Sequence, residues 1–271
     1  MQGPRITASS YSNSAPLLWS FLYGSNRGKA EIILDNAPSR SVELFSLGRV
    51  DAALVPVFAF QTIEGARLVP DVCIGAKDRV RSVCLITDGR ELEDVKSVSL
   101  DVSSKTSAAL TKIIFREFLN FEPTWSTAEP NISRMLEKSD AALLIGDPAL
   151  IAGKHAEPTI RKFDLAELWN RYTGLGFVFA MWMAKSAKIP LDFAAARDEG
   201  CDHLEEIISN YEPELALGRE EMRAYLSENI SYSINDKMRE GMKLYFELAE
   251  RHGLIPQNKP LIFAGQLAEN A

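Results

Sequence analysis

Apolar and polar positions change rhythm repeatedly along the first two thirds of the chain. Short apolar or β-branched runs alternate with stretches whose apolar residues recur at helical spacing, which is the pattern of parallel βαβ units. RITAS predicts a strand and APLLWSFLYG a helix; AEIILD and SRSVELFSLGRV repeat the pair, and DAALVPV supplies a third strand. VRSVCLITD, residues 80–88, predicts a long apolar strand, and VKSVSLDVSSKTSAALTKIIFREFL begins a fresh strand, loop and helix. PTWSTA, ISRMLEKS and DAALLIGDPAL predict a strand, a helix and a strand that ends in a polar turn. The apolar run FVFAMWMAK, residues 177–185, is placed to carry the chain back to the first unit.

Strand signals stop after Ile189. DFAAARDEGCDHLEEIISNY, GREEMRAYLSENI and INDKMREGMKLYFELAERHGL all carry apolar residues at helical spacing, and Gly253 reads as a C-terminal stop. The pattern therefore predicts an α/β fold of two lobes with a ligand cleft between them and a helical C-terminal tail. Residues 1–86 and 176–271 form a discontinuous first lobe, and residues 87–175 an inserted second lobe. GRVDAALVPVFA (48–59) and KSDAALLIGDPA (138–149) echo each other: a helix end, an aspartate, an AAL strand and a proline turn.

Composition narrows the function classes. Of 271 residues, 46% are hydrophobic and 25% charged, ordinary for a soluble domain with a buried core. The net charge of -7 speaks against a nucleic-acid surface, which needs clustered Lys and Arg. Cys73, Cys84 and Cys201 lack the paired spacing of a disulfide framework or a zinc site, so no metal and no cofactor are expected. No charged start followed by an apolar run marks an export signal, and no long apolar stretch marks a membrane span, so a cytoplasmic protein is expected.

Ligands of open α/β sheets sit outside the carboxyl ends of the strands. The loops there are SSYSNSAP (9–16), VPVF (55–58), VSSKTSAAL (102–110) and IGDPAL (145–150), joined by VRSV (80–83) at the crossing. In VSSKTSAAL, Ser104 or Thr106 can cap a helix whose first-turn amides attract carboxylate or phosphate, and Lys105 adds a full charge. The alternative is that these hydroxyls cap the helix and meet only water. Asn13 and Ser14 before Pro16 are either a plain helix start or ligand contacts, and Asp147 is either a turn residue or a functional carboxylate. Arg81 needs solvent or a charged partner, which an exposed edge or a bound carboxylate would provide. His155, His203 and His252 each stand alone, and no nucleophile, Walker or dinucleotide motif occurs.

Taken in order, YSNSAPL, LGRVDAALVP, VRSVCLIT, LDVSSKTSAALTKII, DAALLIGDPAL and FDLAELWNRYTGLGFVFAMW resemble successive blocks of the chorismate dehydratases of the futalosine route to menaquinone. The likeness spans about residues 6 to 184. It implies a two-lobed, periplasmic-binding-protein-like (type 2) fold used as a cytoplasmic enzyme. Members of that family are lyases that turn chorismate into 3-[(1-carboxyvinyl)oxy]benzoate and water. A sister family of the same fold makes 1,4-dihydroxy-6-naphthoate with a cleft histidine as base; FVFAMW at the second crossing favours the dehydratase, and His155 is the histidine nearest a cleft loop. A solute-binding protein that catalyses nothing is the alternative from another class. The family usually has proline where this chain has Gly176, which should loosen the hinge turn.

Chorismate is a dianion, so the resemblance implies carboxylate binding and stabilisation of charge that spreads into one carboxylate. Ser103, Ser104, Thr106 and Ser107, beside Lys105, are expected to hold one carboxylate, and Ser82 and Arg81 the other. Ser12, Ser14 and Gly146 complete the substrate-binding set. Asn13 would orient the reacting carbon or hydroxyl. Asn13, Ser82 and Asp147 are the expected catalytic residues, with the substrate's own enolpyruvyl carboxylate as base and Asp147 as its rival. A small-molecule substrate is the one partner expected; nucleic acid and membrane are not, and oligomeric state is open.

Overall fold

The computed structural model of the chain describes residues 3–152, 160–215 and 217–265. β1 (Arg5–Ser9) leads through a 3₁₀ turn at Ser12–Ser14 into α1 (Ala15–Leu22); β2 (Glu31–Asp35), α2 (Pro38–Ser46), β3 (Ala52–Pro56), α3 (Ala59–Thr62) and β4 (Arg67–Ala76) follow. The next stretch holds β5 (Val83–Thr87), β6 (Ser97–Asp101), α4 (Lys105–Ile113), β7 (Thr124–Ala128), α5 (Ile132–Leu136) and β8 (Ala141–Ile145). Then come α6 (Gly146–Ile151), β9 (Arg161–Asp164), α7 (Leu165–Thr173) and the return strand β10 (Phe177–Ala184). The tail is α8 (Phe193–Asp202), α9 (Leu204–Leu215), α10 (Arg219–Ala224) and α11 (Asp236–Arg251).

Two five-stranded sheets result, with orders β2-β1-β3-β10-β4 and β7-β6-β8-β5-β9. Each has three parallel strands, then one antiparallel strand delivered by the other half of the chain, then an antiparallel edge strand. The sequence echo is thus a structural repeat. β3 and β8, the two AAL strands, occupy the middle of their sheets and are buried along their whole length, which explains why both are continuously apolar rather than alternating. The aspartate before each does the same job. Asp51 accepts from the backbone N–H of Arg5 at the head of β1 (2.7 Å), and Asp140 from those of Lys96 and Ser97 at the head of β6 (2.8 and 3.0 Å).

β5 pairs with β8 and β9 in the second sheet, so the expected lobe boundary at residue 86 would fall inside a strand. We propose that the lobes divide at the two crossings, near residues 77–82 and 174–176. Gly176 does not loosen that second crossing. A Cβ there would lie 2.6 Å from Met238 Cγ and 2.9 Å from the Ala76 carbonyl, and a Cβ on Gly241 would lie 2.0 Å from the Gly176 carbonyl. The pair of glycines lets α11 lie directly on the crossing, where Trp169 Nε1 donates to the Gly176 carbonyl (3.2 Å).

From Ile189 to Arg251 the described chain is mostly helical, Gly253 at φ +67° ends α11 as its position suggested, and the last described stretch leaves the helical pattern to pair Phe263 with Leu68 of β4. The tail reaches both lobes: Met238, Met242, Tyr245 and Phe246 of α11 are buried, and Tyr245 donates its hydroxyl to the Thr106 carbonyl of α4 (3.0 Å). Among the described residues no helix is long and apolar enough to cross a membrane.

Candidate active site

The strand-end loops of the two sheets converge on one cleft. A cavity of about 60 Å³ lies there, lined from the first lobe by Ser9, Tyr11, Asn13, Ser14, Pro38, Leu54, Pro56, Ile74, Phe179 and Ala180, and from the second by Val83, Ser104, Thr106, Ser107, Ile145 and Gly146. With the lobes as they stand, that is smaller than ordinary small-molecule sites.

Each wall is built by its sequence. Ser104 is the N-cap of α4 and makes no cap bond with its own side chain, so its hydroxyl and the first-turn amides remain near the cavity as partners for an anion. Asp101, at the end of β6, braces the loop instead: its Oδ1 accepts from Ser103 N–H (2.9 Å) and Ser103 Oγ (2.7 Å). Burial pushes the Asp101 carboxyl above its ordinary range, against the Ser103 bonds. On the opposite wall the 3₁₀ turn presents Asn13, whose Oδ1 lies 3.4 Å from Ser14 Oγ.

Gly146 is where the two walls touch. It sits at φ +61°, and a Cβ would fall 2.6 Å from the Tyr11 ring; only glycine offers both the conformation and the room. Tyr11 lines the cavity, and its phenol is pushed up to about 12 by burial first and then by the Asp101 charge, against a bond with Ser103.

Of the residues expected from sequence, Asn13, Ser14, Ser104, Thr106, Ser107 and Gly146 line the cavity. The others sit elsewhere for identifiable reasons. Ser12 faces Asp147: its N–H (3.1 Å) and its Oγ (2.5 Å) donate to that carboxylate across the cleft. Asp147 lies in the first turn of α6, not in an open turn, and burial pushes its carboxyl up, against the Ser12 bonds. Ser103 is turned to Asp101. Lys105 is exposed outside the lining. The Arg81 guanidinium meets Glu221 of α10 at 2.5 Å, so its carboxylate partner belongs to the protein itself. Ser82 is wholly buried behind the wall next to Val83, and its hydroxyl has no hydrogen-bond partner.

Sequence reasoning passed over two residues here. Tyr11 stood within YSNSAPL without being singled out. Tyr225 begins a π-helical turn, Tyr225–Asn229, in the tail; its hydroxyl is fully buried and unpartnered, burial pushes its phenol up, and Ser82 and Asn13 are the close side chains that oppose this. The π-turn that places it is a common mark of functional sites, yet nothing local in the sequence announces one. His155 lies outside the described residues. His203 stacks on Trp19 (3.7 Å between ring centres), and His252 pairs with Glu117 (2.7 Å), both away from the cavity lining. Among the described residues no group of three or more His, Cys, Asp or Glu is placed to hold a metal ion.

Comparison with known proteins agrees with this geometry. Residues 4–251 match the family VitK2_biosynth, described as menaquinone biosynthesis. A chorismate dehydratase of Thermus thermophilus is 30% identical over 257 residues, covering 88% of this chain and 92% of that protein. A solved protein of Archaeoglobus fulgidus superposes with a TM-score of 0.69 at 15% identity, covering 94% of this chain and 99% of that one. The periplasmic aliphatic sulphonate binding protein of Escherichia coli gives 0.62 at 16% identity, covering 100% and 96%. Likeness at such identities shows the fold, a two-lobed periplasmic-binding-protein-like α/β structure.

Proposed function

The chain belongs to the menaquinone-biosynthesis family, and on that premise we propose that it is a chorismate dehydratase, a lyase acting in the cytoplasm that forms 3-[(1-carboxyvinyl)oxy]benzoate and water. The observation that carries the reading is the character of the cavity wall. Its polar side chains are hydroxyls and one amide, three of the hydroxyls at the N-terminus of α4, and no His, Cys, Lys or carboxylate lies among the described lining residues. Such a wall suits a carboxylate ligand, and its described residues offer no strong base.

Loss of the proton from the ether carbon leaves its electron pair in an extended enolate conjugated with the ring carboxylate. The neighbouring hydroxyl then departs, and the ring becomes aromatic. In this reading the enolpyruvyl carboxylate takes the proton and returns it to the departing hydroxyl, so water leaves and nothing is oxidised. Ser104, Thr106 and Ser107, with the α4 amides, hold the carboxylate into which charge spreads. Asn13 orients the reacting centre, and Ser82, buried behind the wall beside the Tyr225 hydroxyl, is the hydroxyl that reaches a substrate group as the ligand settles. Asp147 is engaged by Ser12 and serves to hold the lobes together, in place of its rival role as base. The protein's contribution is then orientation and exclusion of water.

Incubation of the protein with chorismate, followed by chromatography and mass measurement, tests the assignment. An aromatic product lighter than chorismate by one water supports it. Turnover of cyclic dehypoxanthine futalosine instead would assign the sister reaction, and binding of chorismate without turnover would make the protein a binder; either result overturns the proposal.

A further inference from the structure

The crossing into the second lobe is a strained turn with a dedicated anchor. Arg81 has φ +64°, a conformation rare for a residue with a side chain, and Ser82 N–H donates to the Val80 carbonyl two residues back (2.8 Å). This is a γ-turn with positive φ at its centre, the rare and strained form. Non-glycine residues in such conformations persist only where their surroundings hold them, and they cluster at functional sites.

The holding group is Asp164, buried at the end of β9. Its Oδ2 accepts from Arg81 N–H (2.6 Å) and Val80 N–H (3.1 Å), while its Oδ1 accepts from Ala166 (2.9 Å) and Glu167 (3.1 Å) as the N-cap of α7. One carboxylate therefore ties the turn to a helix end. The Ser82 carbonyl accepts from Gly146 N–H (2.7 Å), so the main chain of Ser82 is bonded on both sides, and its buried hydroxyl makes no hydrogen bond, with the Tyr225 hydroxyl as its neighbour. Glu221 secures the Arg81 side chain on the outer side.

We propose that Asp164 is a positioning residue for Ser82: its carboxylate holds the strained Val80–Arg81–Ser82 turn, which fixes the Ser82 hydroxyl behind the cavity wall at the place from which it meets the bound substrate. The inference rests on the dehydratase reading and on the role that reading gives Ser82. Asp164 caps a helix like many aspartates, but a plain cap needs no second pair of amides from a remote turn.

Steady-state kinetics of chorismate turnover separate the two roles. Asp164→Asn can still cap α7 through its amide oxygen, but its NH₂ then faces the Val80 and Arg81 amides. We expect kcat to fall about tenfold or more with KM within about twofold, helix content unchanged by circular dichroism, since small misplacements of a reacting group cost this much. Adding Arg81→Gly to that variant relieves the strain at φ +64° and should restore much of kcat. A folded Asp164→Asn protein with native kcat, or no recovery in the double variant, overturns the proposal while Ser82→Ala still loses turnover. Native turnover by Ser82→Ala would instead remove the role of Ser82 and this inference with it. Should Asp164→Asn not fold, Arg81→Ala and Arg81→Gly decide the matter in the native background: both lose the Glu221 contact, only alanine keeps the strain, and alanine must lose more kcat. Equal losses overturn the turn's role.

Discussion

Gly146 shows how much a single hydrogen in place of a side chain can decide. A methyl group there would meet the Tyr11 ring at 2.6 Å in a backbone conformation alanine resists, so Gly146→Ala should destabilise the protein by about 1–3 kcal/mol. For a chain of this length that is a melting-temperature loss of about 2–4 °C per kcal/mol, readable by calorimetry. Asn13→Ala should lower kcat about 100-fold with a smaller change in KM if the amide orients the reacting centre; an unchanged kcat in stopped assays would remove that role. Asp147 makes a pH prediction. Its folded carboxyl titrates above the ordinary 3.8, so its contribution to stability is fully present below that value and is lost as pH rises through the folded value. Asp147→Asn carries no such titration. Melts of both proteins from neutral pH down to the ordinary carboxyl value should therefore show the gap moving in favour of wild type as pH falls. If Asp147 is a latch rather than the base, the variant keeps kcat within about threefold.

Among elements, the ones legible in the sequence are those whose burial pattern follows from their own residues. β3 and β8 are apolar throughout because each is central in its sheet, and α1, α2 and α4 carry helical periodicity next to their strands. β4 and β9 were not legible. β4 contains Pro70 and Asp71, the latter at φ +59°, and it lies at a sheet edge where such breaks are tolerated; β9 is four residues, three of them charged, also at an edge. The α4 N-terminus was legible as an anion site or a cap, and the structure adds that Thr106 Oγ1 accepts from the Phe58 N–H of the other lobe (3.1 Å). Thr106→Val keeps the shape and orphans that N–H, at a cost of about 1–3 kcal/mol in a denaturant titration. The packing of α11 on the second crossing is equally specific: Gly241→Ala forces a methyl onto a backbone carbonyl 2.0 Å away, and the resulting shift should cost about 1–3 kcal/mol by the same measurement.

At the scale of the molecule, bonds between residues remote in sequence hold the cleft closed: Ser12 to Asp147, Phe58 to Thr106, Arg81 to Glu221, and Tyr245 to Thr106. Asp147→Ala combined with Thr106→Val removes two of them. X-ray scattering of that variant should give a radius of gyration above the roughly 18 Å of a compact chain this long, with substrate restoring the compact form; an unchanged radius would mean other contacts hold the lobes. By itself the sequence determined the kinds and order of most elements, the repeated AAL strands and the hydroxyl-rich loops, because these follow from local periodicity and from which residues a strand end or helix start accepts. Tertiary structure alone decided which polar groups meet. Arg81 finds Glu221, Asp147 finds Ser12, and Tyr225 comes to lie by Ser82, since partners that stand far more than a hundred residues apart are chosen by the packing of two lobes and a tail, which no local pattern records.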